Sequence, residues 1–122
     1  MSYLIMVVEN SEAISKLMRF RLEQAGHKVI TAENGLDALR KMKDVRPDML
    51  FTDLNMPNMD GIELIRQVRT DPRFRFMPIV VVTTESRDSE KRNDVKAAGA
   101  SGWITKPFGS EQLLKAVRKL LG

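Results

Sequence analysis

Met49-Leu50-Phe51-Thr52-Asp53, continuing into Leu54-Asn55-Met56-Pro57-Asn58-Met59-Asp60-Gly61, is the stretch that decides the fold. Met49 to Thr52 is apolar or β-branched and follows Pro47-Asp48, so it reads as a short strand covered on both faces. Leu54 to Gly61 is rich in Pro, Asn and Gly and reads as a loop. Ile62, Ile65 and Val68 then recur at helical spacing. A buried strand that ends on an aspartate and passes through a loop into a helix is one βα unit.

The rest of the chain repeats that unit. Tyr3 to Val8 is a continuous apolar strand, and Asn10 or Ser11 caps a helix carrying Ile14, Leu17, Met18, Leu22 and Ala25, which Gly26 stops. Val29 to Ala32 is a strand, and Gly35 to Val45 a helix with Leu36, Leu39 and Met42 on one side. Met77-Pro78 leads into a strand from Ile79 to Thr83. Arg87 to Ala98 is helical but thinly apolar, with Val95, Ala97 and Ala98 only. Gly99 and Gly102 bracket the turn into a strand from Gly102 to Thr105, and Ser110 caps a last helix with Leu113, Leu114, Val117, Leu120 and Leu121. Regular βα alternation implies right-handed crossovers and a parallel sheet with helices on both faces. Strand orders of the flavodoxin-like and Rossmann kinds both satisfy this. No G-x-G-x-x-G and no G-x-x-x-x-G-K-[ST] occurs, which removes the sequence support for dinucleotide and P-loop binding. The expected fold is α/β, a flavodoxin-like (βα)5 sandwich with sheet order 2-1-3-4-5.

Composition narrows the class. At 122 residues, 43% hydrophobic and 30% charged, residues 1–122 are expected to form one globular domain. With no cysteine there are no disulfides and no thiolate metal sites. The apolar run Tyr3 to Val8 is too short for a signal peptide or a membrane span, so a soluble, cytoplasmic protein without membrane insertion is expected. Lys and Arg number 20 against 16 acids, for a net charge of +4. The densest basic stretches, Met18 to Arg21 and Arg66 to Arg75, lie in neither a helix-turn-helix nor a stacking sheet, which argues against direct nucleic-acid binding.

Four strands end on polar residues: Val7-Val8 on Glu9-Asn10, Phe51-Thr52 on Asp53, Val81-Val82 on Thr83-Thr84, and Trp103-Ile104 on Thr105-Lys106-Pro107. In an open parallel sheet these endings share one edge, where ligands bind. Strands one and three are neighbours in 2-1-3-4-5 order, so Glu9 and Asp53 face each other. Two carboxylates about 4 Å apart repel by roughly 4 kcal/mol at an effective dielectric of 20. A cation compensates such a pair, either Mg²⁺ with its oxygen ligands or a lysine such as Lys106. This is the chemistry of a metal-assisted phosphoryl site.

Val7-Val8-Glu9-Asn10-Ser11, Thr52 to Gly61, Val82-Thr83-Thr84-Glu85, Ala97-Ala98-Gly99-Ala100 and Lys106-Pro107-Phe108 together resemble the response-regulator receiver domain, in its stand-alone CheY-like chemotaxis form. The order 2-1-3-4-5 is that family's own, so the two readings are not independent. The resemblance implies that Asp53 accepts a phosphoryl group from a CheA-like histidine kinase. Glu9, Asn10, Asp53 and the backbone carbonyl of Asn55 would hold Mg²⁺. Lys106, before a cis proline bond, would pair with a phosphoryl oxygen, and Thr83 would donate its hydroxyl to the phosphate. Trp103 takes the place of the family's mobile aromatic, coupled to Thr83. Output would pass through the fourth helix, fifth strand and fifth helix to a target such as a flagellar motor or other effector protein, with a phosphatase as a further partner. The molecule would be a monomeric switch and not an enzyme on outside metabolites.

Glu9-Asn10 departs from the family's usual acid pair. An Asn ligand brings no charge, so weaker Mg²⁺ binding and a less strained metal-free site are expected. A receiver that binds partners without phosphorylation is therefore the alternative reading. Met56 and Met59 are either adaptable contacts or loop residues, and His27 is expected on the surface without a role.

Overall fold

The computed structural model describes residues 2–84 and 89–122. Five parallel strands, β1 (Leu4–Val8), β2 (Lys28–Ala32), β3 (Met49–Thr52), β4 (Ile79–Thr83) and β5 (Gly102–Thr105), form one sheet in the order β2-β1-β3-β4-β5. The helices are α1 (Glu12–Gln24), α2 (Gly35–Met42), α3 (Gly61–Arg69), α4 (Ser89–Ala98) and α5 (Ser110–Leu121), with a 3₁₀ turn at Pro72–Phe74.

Period-two alternation in the central strands builds two cores. Met6, Val8, Leu50, Ile79 and Val81 pack with Ala38, Met42, Leu64, Ile65, Val68 and Val95, so α2, α3 and α4 cover one face. Ile5, Val7, Met49, Phe51, Val80 and Val82 pack with Met18, Leu22, Leu113 and Val117 from α1 and α5 on the other. Burial on both faces is why these strands read as continuous apolar runs.

Several local expectations are corrected. Strand β1 begins at Leu4 rather than Tyr3, and β2 begins at Lys28 rather than Val29. Helix α2 ends at Met42, short of Val45, and Asn34 caps its start through the amide of Asp37. Of the two caps the sequence offers for α1, Ser11 is the one used, as expected of one of them, and it accepts the Ile14 amide at 3.3 Å. Ser110 is the first helical residue of α5; the cap is Gly109, whose N–H is held by the Gln112 side chain at 3.1 Å. Leu17 and Leu36 point to solvent, because the stripes facing the sheet are led by Met18 and Leu22 in α1 and by Ala38 and Met42 in α2. Arg87, the expected start of the fourth helix, lies outside the described residues.

His27 is no bare surface residue. Its Nδ1 accepts the Tyr3 amide at 3.2 Å, and its ring stacks on Tyr3 with centroids 5.6 Å apart. Burial holds its pKa below the ordinary histidine value.

Candidate functional site

Val8 and Thr52 are register partners, so Glu9 and Asp53 leave the sheet side by side. The backbone continues the pairing one step, with the Asp53 amide donating to the Val8 carbonyl at 3.1 Å. Both carboxylates are buried, at 4% and 9% exposure. Lys106 arrives from the end of β5, its amide donating to the Thr83 carbonyl at 2.8 Å. Its Nζ lies 2.6 Å from Glu9 Oε1 and 3.1 Å from Asp53 Oδ2. The Lys106–Pro107 bond is cis. Three residues from widely separated parts of the chain thus form one buried ion cluster.

Backbone amides occupy the remaining carboxylate oxygens. Ser11 N–H donates to Glu9 Oε2 at 2.9 Å, and Leu54 N–H to Asp53 Oδ1 at 2.7 Å. The Thr52 hydroxyl donates to the Asp53 carbonyl at 2.9 Å. Each acid is therefore fixed from two sides, as a pre-organised site requires. With one lysine against two carboxylates the cluster keeps a net negative charge and can still draw in a cation.

The oxygen donors suit a hard divalent ion. Among the described residues no three His, Cys, Asp or Glu side chains cluster to hold a metal. An ion here would rest on two carboxylates, neutral oxygens and water, and Mg²⁺ characteristically binds through one or two carboxylates while keeping several waters. Asn10 and Asn55 are both exposed at the rim beside the acids. The residues fit Mg²⁺, with Lys106 as a built-in competitor for the same charge.

Thr83 is fully buried and pairs in register with Thr105, while Trp103 pairs with Val81. Alternation along the strands puts Thr83 and Trp103 on the same face of the sheet, the one covered by α2, α3 and α4. Trp103 is partly buried against that core. Its indole N–H is buried with no acceptor among the described residues, and the Arg92 guanidinium stands 5.0 Å from the ring centroid. A cleft of 320 Å³ opens beside it, lined in part by Arg92, Lys96, Ser101 and Trp103. Only Val95 of the described α4 side chains is fully buried, as the thin apolar content of this helix led one to expect. Glu85 lies outside the described residues. Met56 and Met59 are not idle loop residues: both pack on the α2–α3 core.

Gly61 was read only as a turn residue, and its role is larger. A Cβ there would sit 2.3 Å from the Asp53 carbonyl oxygen and 2.9 Å from Leu54 Cα. Its amide donates to the Leu54 carbonyl at 2.9 Å, while Asp60 caps α3 by accepting the Glu63 amide at 2.9 Å. The glycine lets the helix start directly against the backbone that carries Asp53. The Asp60-Gly61 turn signal was visible in the sequence, but the close approach was not. Arg92 over Trp103 gave no sequence signal, because it depends on how α4 docks.

Residues 5–118 match the response regulator receiver domain. The chain belongs to that family. It is 36% identical over 121 residues to the chemotaxis protein CheY1 of Helicobacter pylori, covering 97% of this chain and 96% of that one. With a chemotaxis protein CheY homolog of Campylobacter jejuni the identity is 37% over 122 residues, covering 97% and 92%. The phosphate regulon transcriptional regulatory protein PhoB of Rhizobium meliloti is 36% identical over 117 residues, 96% of this chain, but the match spans only 51% of that relative. The chain thus spans about half of one curated relative and nearly all of others. The chemotaxis response regulator CheY4 of Vibrio cholerae superposes with a TM-score of 0.93 at 37% identity, covering 98% and 99% of the two chains.

This is therefore a CheY-like receiver domain of the two-component system, with the flavodoxin-like order expected. Receiver domains are phosphoacceptor switches that work with histidine kinases and effectors. No described helix is long and apolar enough to cross a membrane.

Proposed function

We propose that this domain accepts a phosphoryl group from a histidine kinase on Asp53, with Mg²⁺, and relays that state to a target protein in chemotaxis or motility control. The observation that carries the reading is the Glu9–Lys106–Asp53 cluster, held by backbone amides at the carboxyl edge of the sheet. The domain is read as a single unit over residues 1–122, acting as a monomer.

Asp53 supplies the nucleophilic carboxylate: its oxygen bonds to phosphorus while the bond from phosphorus to the kinase's histidine nitrogen breaks. Glu9, Asn10, Asp53 and the Asn55 carbonyl are the groups that would hold Mg²⁺. When bound, the ion supplies charge neutralisation for the transferring phosphoryl group. Lys106, already within reach of Asp53, is placed to exchange a carboxylate oxygen for a phosphoryl oxygen. Thr83 gives its hydroxyl to the phosphate, and Trp103 follows on the same sheet face. The weakly anchored α4, together with β5 and α5, forms the output surface.

Intact-protein mass spectrometry tests the reading. A small phosphodonor with Mg²⁺ should add one phosphoryl group to the wild-type chain and none to Asp53→Asn. An unlabelled wild type would instead favour a receiver that binds without phosphorylation. One observation supports that second reading: Lys106 already pairs with both acids and offsets half of their charge, and the neighbouring Asn10 adds none.

Asn10→Asp should tighten Mg²⁺ binding by roughly tenfold, because an added ligand charge attracts the ion at close range. Since Asn10 is exposed, the accompanying loss of metal-free stability is expected to be under about 1 kcal/mol. Mg²⁺ titration and urea melts in EDTA measure both; an unchanged affinity would show that Glu9 already fills that ligand position.

Beryllofluoride, a mimic of the acyl phosphate, should shift Trp103 fluorescence in the wild type and much less in Thr83→Ala. Equal shifts in the two proteins would mean that the indole senses the site without the threonine.

A further inference from the structure

Tyr3 stands just before β1 and His27 just before β2, at the pole of the sheet opposite the ion cluster. Tyr3 links three elements. Its amide donates to His27 Nδ1 at 3.2 Å, and its carbonyl accepts the Lys28 amide at 2.9 Å. Its hydroxyl donates to the Leu121 carbonyl at 2.9 Å and to the Gly122 carbonyl at 3.2 Å, at the end of α5. His27 is fixed from behind: its amide donates to the Leu22 carbonyl at 3.1 Å, across the left-handed Gly26 (φ 97°) that follows α1.

A backbone N–H can face a ring nitrogen only where that nitrogen carries a lone pair, so this contact needs Nδ1 unprotonated. A proton taken up there sets one N–H against another. The charges around the ring do not favour uptake. From α5, Arg118 lines the same 360 Å³ cleft as Tyr3 and His27, and Lys28 follows His27 on β2. The nearby acids are engaged elsewhere, Glu23 of α1 with Arg19 at 3.2 Å and Asp48 by accepting the Leu4 amide at 2.8 Å. Burial, and then the chain's amino terminus, hold the His27 pKa below its ordinary 6.5. The neutral ring is thus the form the fold prefers. Its contribution to stability is complete above about pH 6.5, declines as the pH falls towards the lower folded value, and is level beneath it.

We propose that His27 and Tyr3 form a proton-operated clamp: protonation of Nδ1 expels the Tyr3 amide, and the same displacement draws the Tyr3 hydroxyl off the end of α5. The cleft beside the two rings gives the charged imidazole a wet space to turn into. Acidification would then loosen the last turn of α5 without touching Asp53. Any effect on a target rests on the output surface proposed above, but the clamp itself does not.

The test is an NMR titration of ¹⁵N-labelled protein between about pH 8 and pH 5, where an ordinary histidine changes charge. His27 is the single histidine of the chain, so its transition is identified without ambiguity. The amides of Tyr3, Leu121 and Gly122 should follow that transition together. Loss of one hydrogen bond should also lower the folding constant from urea melts about fivefold across this range, beyond any change in His27→Asn. Asparagine keeps an acceptor close to the place of Nδ1 and does not titrate, so in His27→Asn the three amides should be flat. Tyr3→Phe should keep the transition at residue 3 and lose it at Leu121 and Gly122. Both side chains are only partly buried, so both variants are expected to fold. A Tyr3 amide in the wild type that does not follow His27 would overturn the clamp. Equal titration of Leu121 and Gly122 in Tyr3→Phe and wild type would overturn the link to α5, and both results can be read whether or not Asp53 is ever phosphorylated.

Discussion

Lys106→Met is expected to lower the stability of the metal-free protein by about 3 kcal/mol, and to make that stability depend on Mg²⁺. Removing one partner of a buried ion cluster leaves the others uncompensated, which typically costs about 3–5 kcal/mol. The low end applies because each acid keeps a backbone amide, from Ser11 or Leu54. Methionine retains most of the apolar stem, so the loss is one of charge and hydrogen bonding more than of packing. Adding Mg²⁺ should restore part of the deficit, since the ion would take over the compensation of Glu9 and Asp53. Urea melts in EDTA and in millimolar Mg²⁺ make the comparison. A variant equally stable in both, and close to wild type, would show that water already screens the two carboxylates and that their pairing carries little energy.

The same cluster shows what a sequence can and cannot disclose. Glu9, Asp53 and Lys106 were legible because each ends an apolar run, and a parallel sheet brings such endings to one edge. The strand order then predicted that Glu9 and Asp53 would be neighbours, and they are. Burial of both strand faces made β1, β3 and β4 readable almost to the residue. Helix ends were harder, because Gly35 to Val45 keeps its helical composition through the turn that ends α2 at Met42. Which apolar residues face inward was misread at Leu17 and Leu36, because helical spacing alone does not say which of two adjacent stripes meets the sheet. Arg69 stands in the sequence only as one cation of the basic stretch Arg66 to Arg75. Its place inside a ring of carbonyls depends on α4, α3 and the 3₁₀ turn meeting in space. Contacts of that kind leave no periodic trace.

Gly61→Ala is expected to destabilise the fold by about 3 kcal/mol and to slow phosphorylation by roughly a hundredfold. The added Cβ would meet the Asp53 carbonyl oxygen at 2.3 Å and Leu54 Cα at 2.9 Å. Both are backbone atoms at the end of a central strand, so no side-chain rotation relieves the contact. Either α3 moves away from the sheet or the Asp53 backbone moves. Retreat of α3 loosens Leu64, Ile65 and Val68 in the core they share with β3. Movement of the backbone carries the acid away from Lys106 and from the Leu54 amide that fixes its other oxygen. Stability and chemistry should therefore fall together. Gly109→Ala is the control, because nothing lies within 4 Å of a Cβ at that position. It caps α5, where alanine is a poorer cap than glycine, so a loss of under about 1 kcal/mol is expected there. Urea melts and phosphodonor labelling rates on the two variants give the comparison. Equal midpoints and equal labelling would mean that the turn at Asp60-Gly61 yields without disturbing Asp53, and that the close approach of α3 is not what holds the acid in place.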